Sequence, residues 1–386
     1  MIYLDNSATT KICEEALEVY CEVSRMTYGN PSSLHALGFE AERVLDSARK
    51  TVLDSLYTKS GDIIFTASGS EANNLAIVGH ALSKERYRGA KIVTTMGEHA
   101  SVREPFMMLE RMGYRVAYVP TVGGKVDLEA LRREITKDTI LLSVMMVNNE
   151  TGAVYNIPEI AAIAKKLSPD IYIHVDATQS YMKIPFSPEA LMADMVTVSS
   201  HKIEGPKGVG ALYISKRVVK ERGLAPIIHG GGQEEGLRSG TENVPGIAAF
   251  ARAVEIAHGA IRERAARLTE LREYLIDKIE KSEALRELSL TKPEMAAPHI
   301  LNITLPRIKS ETMLHYLSAE GIYVSSGSAC SSNSHHVSSA LTAYGRSEAE
   351  ADSSIRVSLS HKTTREELDI FVSALEAGVG RLSRIR

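Results

Sequence analysis

Three cysteines in 386 residues, Cys13, Cys21 and Cys330, are too few and too scattered for a disulfide framework or a paired-cysteine metal site. Their scarcity suits a reducing compartment. Long apolar runs are missing as well. Stretches such as Leu141 to Val147 fall far short of the roughly 20 residues a membrane helix needs. The N-terminus runs directly into a strand-like Ile2-Tyr3-Leu4, without the basic and apolar regions of a secretory leader, and a cytoplasmic location is expected. Neither sign of charge dominates: 45 Lys and Arg against 48 Asp and Glu leave a formal −3, with no pull on nucleic acid or anionic lipid. The expected partner is a small-molecule substrate rather than a nucleic acid or a membrane.

What is present is an ordinary globular composition, 44% hydrophobic, in a chain long enough for two domains. Between Ile63 and Ser215, apolar runs of strand length alternate with helix-period segments, the signature of βαβ units and a mostly parallel sheet. The candidate strands are Ile63 to Phe65, Ile92 to Thr94, Val116 to Val119, Ile140 to Val147, Ile171 to Val175, Met195 to Val198 and Val209 to Ile214. Several are β-branched on both faces, as strands buried on both sides should be. From Pro245 to about Ser282 a tract rich in Ala, Arg, Leu and Glu predicts a long helical connector, and a smaller α+β unit follows. That unit has candidate strands at His299 to Leu305 and Ile355 to Leu359, with helices around Glu311 and Glu366 and a polar loop from Ser325 to Ser339.

The chemistry gathers at predicted strand ends, where open α/β sheets bind ligands. Lys202 ends Ser199-Ser200-His201-Lys202 after one strand and precedes the side-chain-poor turn Gly205-Pro206-Lys207-Gly208. Asp176, in His174-Val175-Asp176-Ala177-Thr178-Gln179, ends a neighbouring strand, where its carboxylate could pair with a protonated pyridine nitrogen and make the ring an electron sink. Gln179 could donate to a ring oxygen, and His99, in Gly97-Glu98-His99-Ala100-Ser101, could stack on the ring. Ala67-Ser68-Gly69-Ser70-Glu71 supplies a small-residue turn into a helix, an anion cradle centred on Gly69 and Ser70 that also reads as an N-cap. A lysine, a carboxylate and a phosphate turn at adjacent strand ends suggest pyridoxal 5′-phosphate (PLP). Cys330, set in Ser325-Ser326-Gly327-Ser328-Ala329-Cys330-Ser331-Ser332, has neighbours poorly suited to core packing, unlike Cys13 and Cys21.

With these residues in view, the chain resembles the NifS/IscS-like cysteine desulfurases, a branch of the class V aminotransferase group with the type I PLP-enzyme fold. The resemblance runs nearly end to end. It rests on Tyr3 to Thr10, Gly29-Asn30-Pro31-Ser32-Ser33, Glu98-His99, Val147 to Gly152, His174 to Gln179 and Ser200-His201-Lys202. It continues through Gly230 to Glu234, Arg238-Ser239-Gly240-Thr241, Ser325 to Cys330 and Ser354 to Ser358. The resemblance implies a large PLP-binding domain over residues 15–258 with a mostly parallel seven-stranded sheet, and a smaller α+β domain from 1–14 and 259–386.

It further implies that Lys202 is the Schiff-base lysine, that Asp176 pairs with the pyridine nitrogen, and that Gln179 and Asn149 contact the ring oxygen side under a stacked His99. Phosphate contacts fall to Gly69, Ser70, Ser199 and His201, with Thr241 reaching the phosphate of a neighbouring subunit in a homodimer. Arg356, with Asn149, would hold substrate; its forked guanidinium suits an α-carboxylate. Lys202, His99 and Cys330 would be catalytic, converting L-cysteine to L-alanine with sulfur carried as a Cys330 persulfide to an acceptor protein, an iron-sulfur scaffold or a tRNA-thiolation enzyme. A selenocysteine lyase, or a delivery partner dependent on a docked acceptor, is the alternative. Cys330 with the adjacent His335 and His336 makes a poor zinc set, and no metal is expected. Glu204 replaces a Tyr common after the lysine, and Asn333 to Val337 also departs from the family pattern.

Overall fold

The computed structural model describes residues 1–326 and 338–382. The chain opens with the two-residue strand β1 (Ile2–Tyr3). Seven strands then build the main sheet: β2 (Asp62–Thr66), β3 (Lys91–Thr95), β4 (Arg115–Val119), β5 (Thr139–Met145), β6 (Tyr172–Asp176), β7 (Met195–Ser199) and β8 (Gly210–Ile214). Their order across the sheet is β2-β8-β7-β6-β5-β3-β4, and only β8 runs against its neighbours. The expected mostly parallel, seven-stranded α/β architecture is therefore present.

Alternation along each strand divides the apolar side chains between two covered faces. Ile63, Val93, Leu142, Val144, Ile173, Val175 and Val196 pack on one side with Leu45, Val52, Ile160 and Phe250. Ile64, Ile92, Leu141, Tyr172 and Met195 pack on the other with Leu75, Phe106 and Leu109. Because both faces are closed, the sheet can be approached by a ligand only at its ends.

The tract expected to be one helical connector is two helices, Val244–Gly259 and Ile261–Lys281, bent 72° apart. Ala260 leaves the helical region (φ −117°, ψ 13°) directly after Gly259, a residue that weakens a helix interior. The two segments serve different cores: Phe250 and Val254 pack with the main sheet, whereas Leu268, Leu271, Leu275 and Ile279 join a separate cluster. Among the described residues no single helix is long and apolar enough to cross a membrane.

That separate cluster lies on a four-stranded antiparallel sheet of β9 (Ser289–Thr291), β10 (Ile300–Thr304), β12 (Ser325–Ser326) and β13 (Ser354–Ser358), ordered β12-β13-β10-β9. Strand β11 (Ile322–Tyr323) pairs in parallel with β1, so Ile2 and Leu4 are buried with Ile303, Val357 and Phe371. The first residues of the chain thus pack with the last third of it. Leu271 is wholly buried in this cluster, and Leu271→Ala should cost about 2–5 kcal/mol through lost burial and a residual cavity. Denaturant unfolding followed by circular dichroism is the check.

Candidate active site

Five segments leaving the carboxyl ends of β2, β3, β5, β6 and β7 converge on a cavity of about 280 Å³. Its walls include Gly69, Ser70, His99, Asn149, Asp176, Gln179, Ser199, His201, Lys202 and Arg356. Ten of the residues singled out in the sequence are therefore gathered in one place. Thr241 is not among them; it is exposed and borders a different depression beside Glu234 and Arg238. Cys330 lies outside the described residues.

Lys202 ends a short helical turn, Ser200–Lys202, that directly follows β7. Its Nζ donates to the backbone carbonyls of Ser7 (2.5 Å) and Ala8 (2.7 Å). The N-terminal segment supplies more of this wall. Gln179 Nε2 donates to the Ser7 carbonyl at 2.9 Å, Thr10 N donates to the His201 carbonyl at 2.9 Å, and His201 Nδ1 lies 3.1 Å from Thr9 Oγ1. Burial, with the nearby Lys202 and Lys207 charges, lowers the His201 pKa to about 4, so its ring is neutral near pH 7.

Asp176 is 5% exposed at the end of β6. Its Oδ1 accepts from Thr178 N (2.9 Å) and its Oδ2 from Asn73 Nδ2 (2.8 Å). Two residues earlier, His174 lies fully buried between Ser143 Oγ and Thr197 Oγ1, and burial lowers its pKa to about 4. A neutral ring is therefore what the strand carries behind the carboxylate.

His99 caps the helix Ala100–Arg111, its Nδ1 accepting from Ser101 N at 3.1 Å with Ser101 Oγ at 2.8 Å. Burial holds its pKa below the usual histidine value, partly opposed by Asp176. Ser68 is indeed an N-cap, accepting from Glu71 N at 3.1 Å, so the turn at Gly69 and Ser70 opens a helical segment that continues to Leu82. A Cβ on Gly69 would stand 3.2 Å from Thr178 Oγ1 and 3.3 Å from Ser199 Cβ, a tight fit that would push on both side chains.

Arg356 projects from β13, 4% exposed, with Nη1 on the Asn149 carbonyl (2.8 Å) and Nη2 on Asp5 Oδ1 (2.9 Å). Asp5 also accepts from Ser325 Oγ at 2.7 Å. The sequence reading missed Asn73, Ser101 and Asp5 as parts of this site. Asp5 and Ser101 stood inside or beside quoted motifs, and Asn73 sits one turn along the helix that the phosphate-type turn begins.

The buried hydroxyls of Ser7 and Ser199 have no hydrogen-bond partner among the described residues, and Ser199 lines the cavity beside the Gly69 turn. An unsatisfied buried donor next to a helix N-terminus suits an anionic oxygen. Together with a buried carboxylate and an amine at the same cavity, this donor set fits a phosphorylated pyridine aldehyde.

Below the site, Glu98 is buried, its Oε1 accepting from Thr95 Oγ1 (2.6 Å) and Met145 N (3.0 Å). Desolvation, opposed by those hydrogen bonds and aided by Asp176, pushes its pKa from 4.5 up to about 8. The folded chain thus keeps a proton that the unfolded chain loses at lower pH. The stability this represents is fully present below about pH 4.5 and is lost as pH rises to about 8. Glu98→Gln, which retains the acceptor oxygen, should flatten that decline, as urea midpoints measured from pH 5 to 8.5 would register.

Comparison with known proteins agrees with this geometry. The aminotransferase class-V family matches residues 2–371. A protein of Dictyoglomus turgidum named cysteine desulfurase IscS is 39% identical over all of this chain and 96% of its own length. A NifS/IcsS protein homolog of Lactobacillus delbrueckii subsp. bulgaricus is 41% identical over 100% of this chain and 99% of its own. A solved structure titled NifS-like protein superposes with a TM-score of 0.90 at 38% identity, covering 98% of this chain and 99% of that one. Sequence matched over its whole length and fold matched over nearly all of it agree that this chain belongs to the aminotransferase class-V family.

Proposed function

We propose that this chain is a cysteine desulfurase that holds PLP on Lys202 and converts L-cysteine to L-alanine. The observation that carries the reading is the meeting of Lys202, Asp176, His99 and Arg356 at one cavity, with the Ser199 hydroxyl beside the Gly69 turn unsatisfied among the described residues. When bound, PLP supplies a ring that accepts electrons from the substrate carbon.

In this reading each side chain has a task set by its chemistry. Gly69, Ser70, Ser199 and His201 would hold the phosphate, Asp176 would pair with the pyridine nitrogen, and Gln179 and Asn149 would contact the ring oxygen. Arg356 takes the substrate carboxylate, with Asp5 fixing the plane of its guanidinium. Lys202 Nζ removes the proton from the substrate α-carbon, and His99 covers the ring and shuttles protons. The Cys330 thiolate attacks the substrate sulfur: a sulfur–sulfur bond forms, the carbon–sulfur bond breaks, and its electron pair goes to the carbon that becomes the alanine methyl group on protonation. Cys330 is left as a persulfide for transfer to an acceptor protein.

The same reading assigns residues 15–258 to a cofactor-binding domain and 1–14 with 259–386 to a smaller one, in a cytoplasmic homodimer. Thr241 would serve the phosphate site of the other subunit. Its loop is tied down for such a role, because Arg49 forks onto Glu234 (2.8 and 2.9 Å) and Arg238 Nε donates to Glu71 at 2.8 Å.

Purified protein given cysteine and a reductant should release alanine and sulfide, and Lys202→Ala and Cys330→Ala should each abolish sulfide release. Sulfide from Cys330→Ala at the wild-type rate would sink the persulfide step, and selenide release from selenocysteine alone would point to a lyase. Arg356→Lys should raise KM for cysteine by about 10- to 100-fold through loss of one arm of a charge-assisted fork. Steady-state alanine assays measure it.

A further inference from the structure

The buried polar contacts around His99 form a directed chain rather than a set of isolated pairs. Its starting point is Asp176, which as a carboxylate only accepts hydrogen bonds. Asn73 must therefore turn its amide nitrogen, not its oxygen, toward Asp176 Oδ2, at 2.8 Å. The second hydrogen of the same nitrogen goes to Ser101 Oγ, also at 2.8 Å. Ser101 Oγ then already accepts, so its own hydrogen is available for His99 Nδ1, 2.8 Å away. The backbone N–H of Ser101 donates to that Nδ1 as well, at 3.1 Å. Two donors directed at one ring nitrogen leave no room for a proton on it.

We propose that Asn73 and Ser101 are positioning residues that transmit the orientation set by Asp176 to His99 and fix its ring proton on Nε2. The inference rests on the proposed desulfurase reading for its consequence but not for its geometry. A neutral ring fixed in this tautomer offers a hydrogen bond from Nε2–H and can take up a proton only at Nδ1, so His99 begins a catalytic cycle as a hydrogen-bond donor. Protonating Nδ1 would require the Ser101 hydroxyl to reverse and would set Nδ1–H against the Ser101 N–H. The chain therefore disfavours the imidazolium form, in the same direction as burial does. The charged groups acting on the ring are Asp176 after β6, Lys202 after β7, Arg103 on its own helix and Arg356 on β13, with the buried Glu98 preceding it in sequence. Only Asp176 among the four charges favours a charged ring, and it is Asp176 that the amide of Asn73 engages.

Nitrogen NMR of protein labelled at histidine, with His99→Gln used to identify the signal, reads the tautomer directly in both the PLP-loaded and the stripped protein. The expected result is a pyridine-like Nδ1 and a pyrrole-like Nε2 from pH 6 to 8. Ser101→Ala should raise the titration midpoint of the ring by about 0.5–1 pH unit, the worth of one net hydrogen bond. The acid limb of the kcat profile for alanine release should move with it, and Ser101→Thr should return both toward wild type. A pyrrole-like Nδ1 in the wild type, or an unmoved midpoint in Ser101→Ala, would overturn the assignment. Failure of the wild type to release alanine from cysteine would instead defeat the desulfurase reading, and the nitrogen signals of the stripped protein would decide the assignment alone.

Discussion

A carboxylate buried at the end of a strand must find donors or lose its charge, and the surroundings of Asp176 are organised by that requirement. Thr178 and Asn73 supply the donors. Asn73 does so from the helix that follows β2, whose opening turn at Gly69 lies against Thr178 and Ser199. The uncharged His174 behind it and the protonated Glu98 below it keep further charges away. Position and tautomer at this end of the sheet thus follow from one carboxylate, while burial sets the protonation of its neighbours.

The opposite wall is built from the start of the chain. Ser7 and Ala8 present carbonyls to Lys202, Thr9 and Thr10 engage His201, and Asp5 holds Arg356. Asn6 and Ser7 in turn bond to Ser358, so this strip bridges β13 and the turn after β7. Backbone carbonyls suit the task because they accept from an amine without adding a formal charge beside it.

The main-sheet strands were legible because burial on both faces leaves near-continuous runs of Val, Ile and Leu between turns. The site residues at strand ends were legible for the related reason that polar groups interrupt those runs abruptly, as at Asp176 and Lys202. Less visible were partners whose meaning depends on distance in space: Asn73 reaches Asp176 across 103 positions and reads in sequence as one more helix residue. The tract after Pro245 misled because helix propensity in Ala, Arg, Leu and Glu persists across Gly259-Ala260, whereas the bend is imposed by two separate cores. Thr241 was noticed through family likeness alone, and Cys330 through its small, polar neighbours together with that likeness.

The strip of residues that walls in Lys202 has a consequence for how the protein is made. Asn6 and Ser358 are bonded although 352 positions separate them, and Ile2 pairs with Ile322. During synthesis the first ten residues leave the ribosome long before β13 exists to receive them. Contacts of such separation close late, since the loop entropy must be overcome before they form. The main sheet can assemble from its own consecutive βαβ units while the N-terminal strip waits unpaired, and the lysine pocket becomes enclosed only once β13 has emerged.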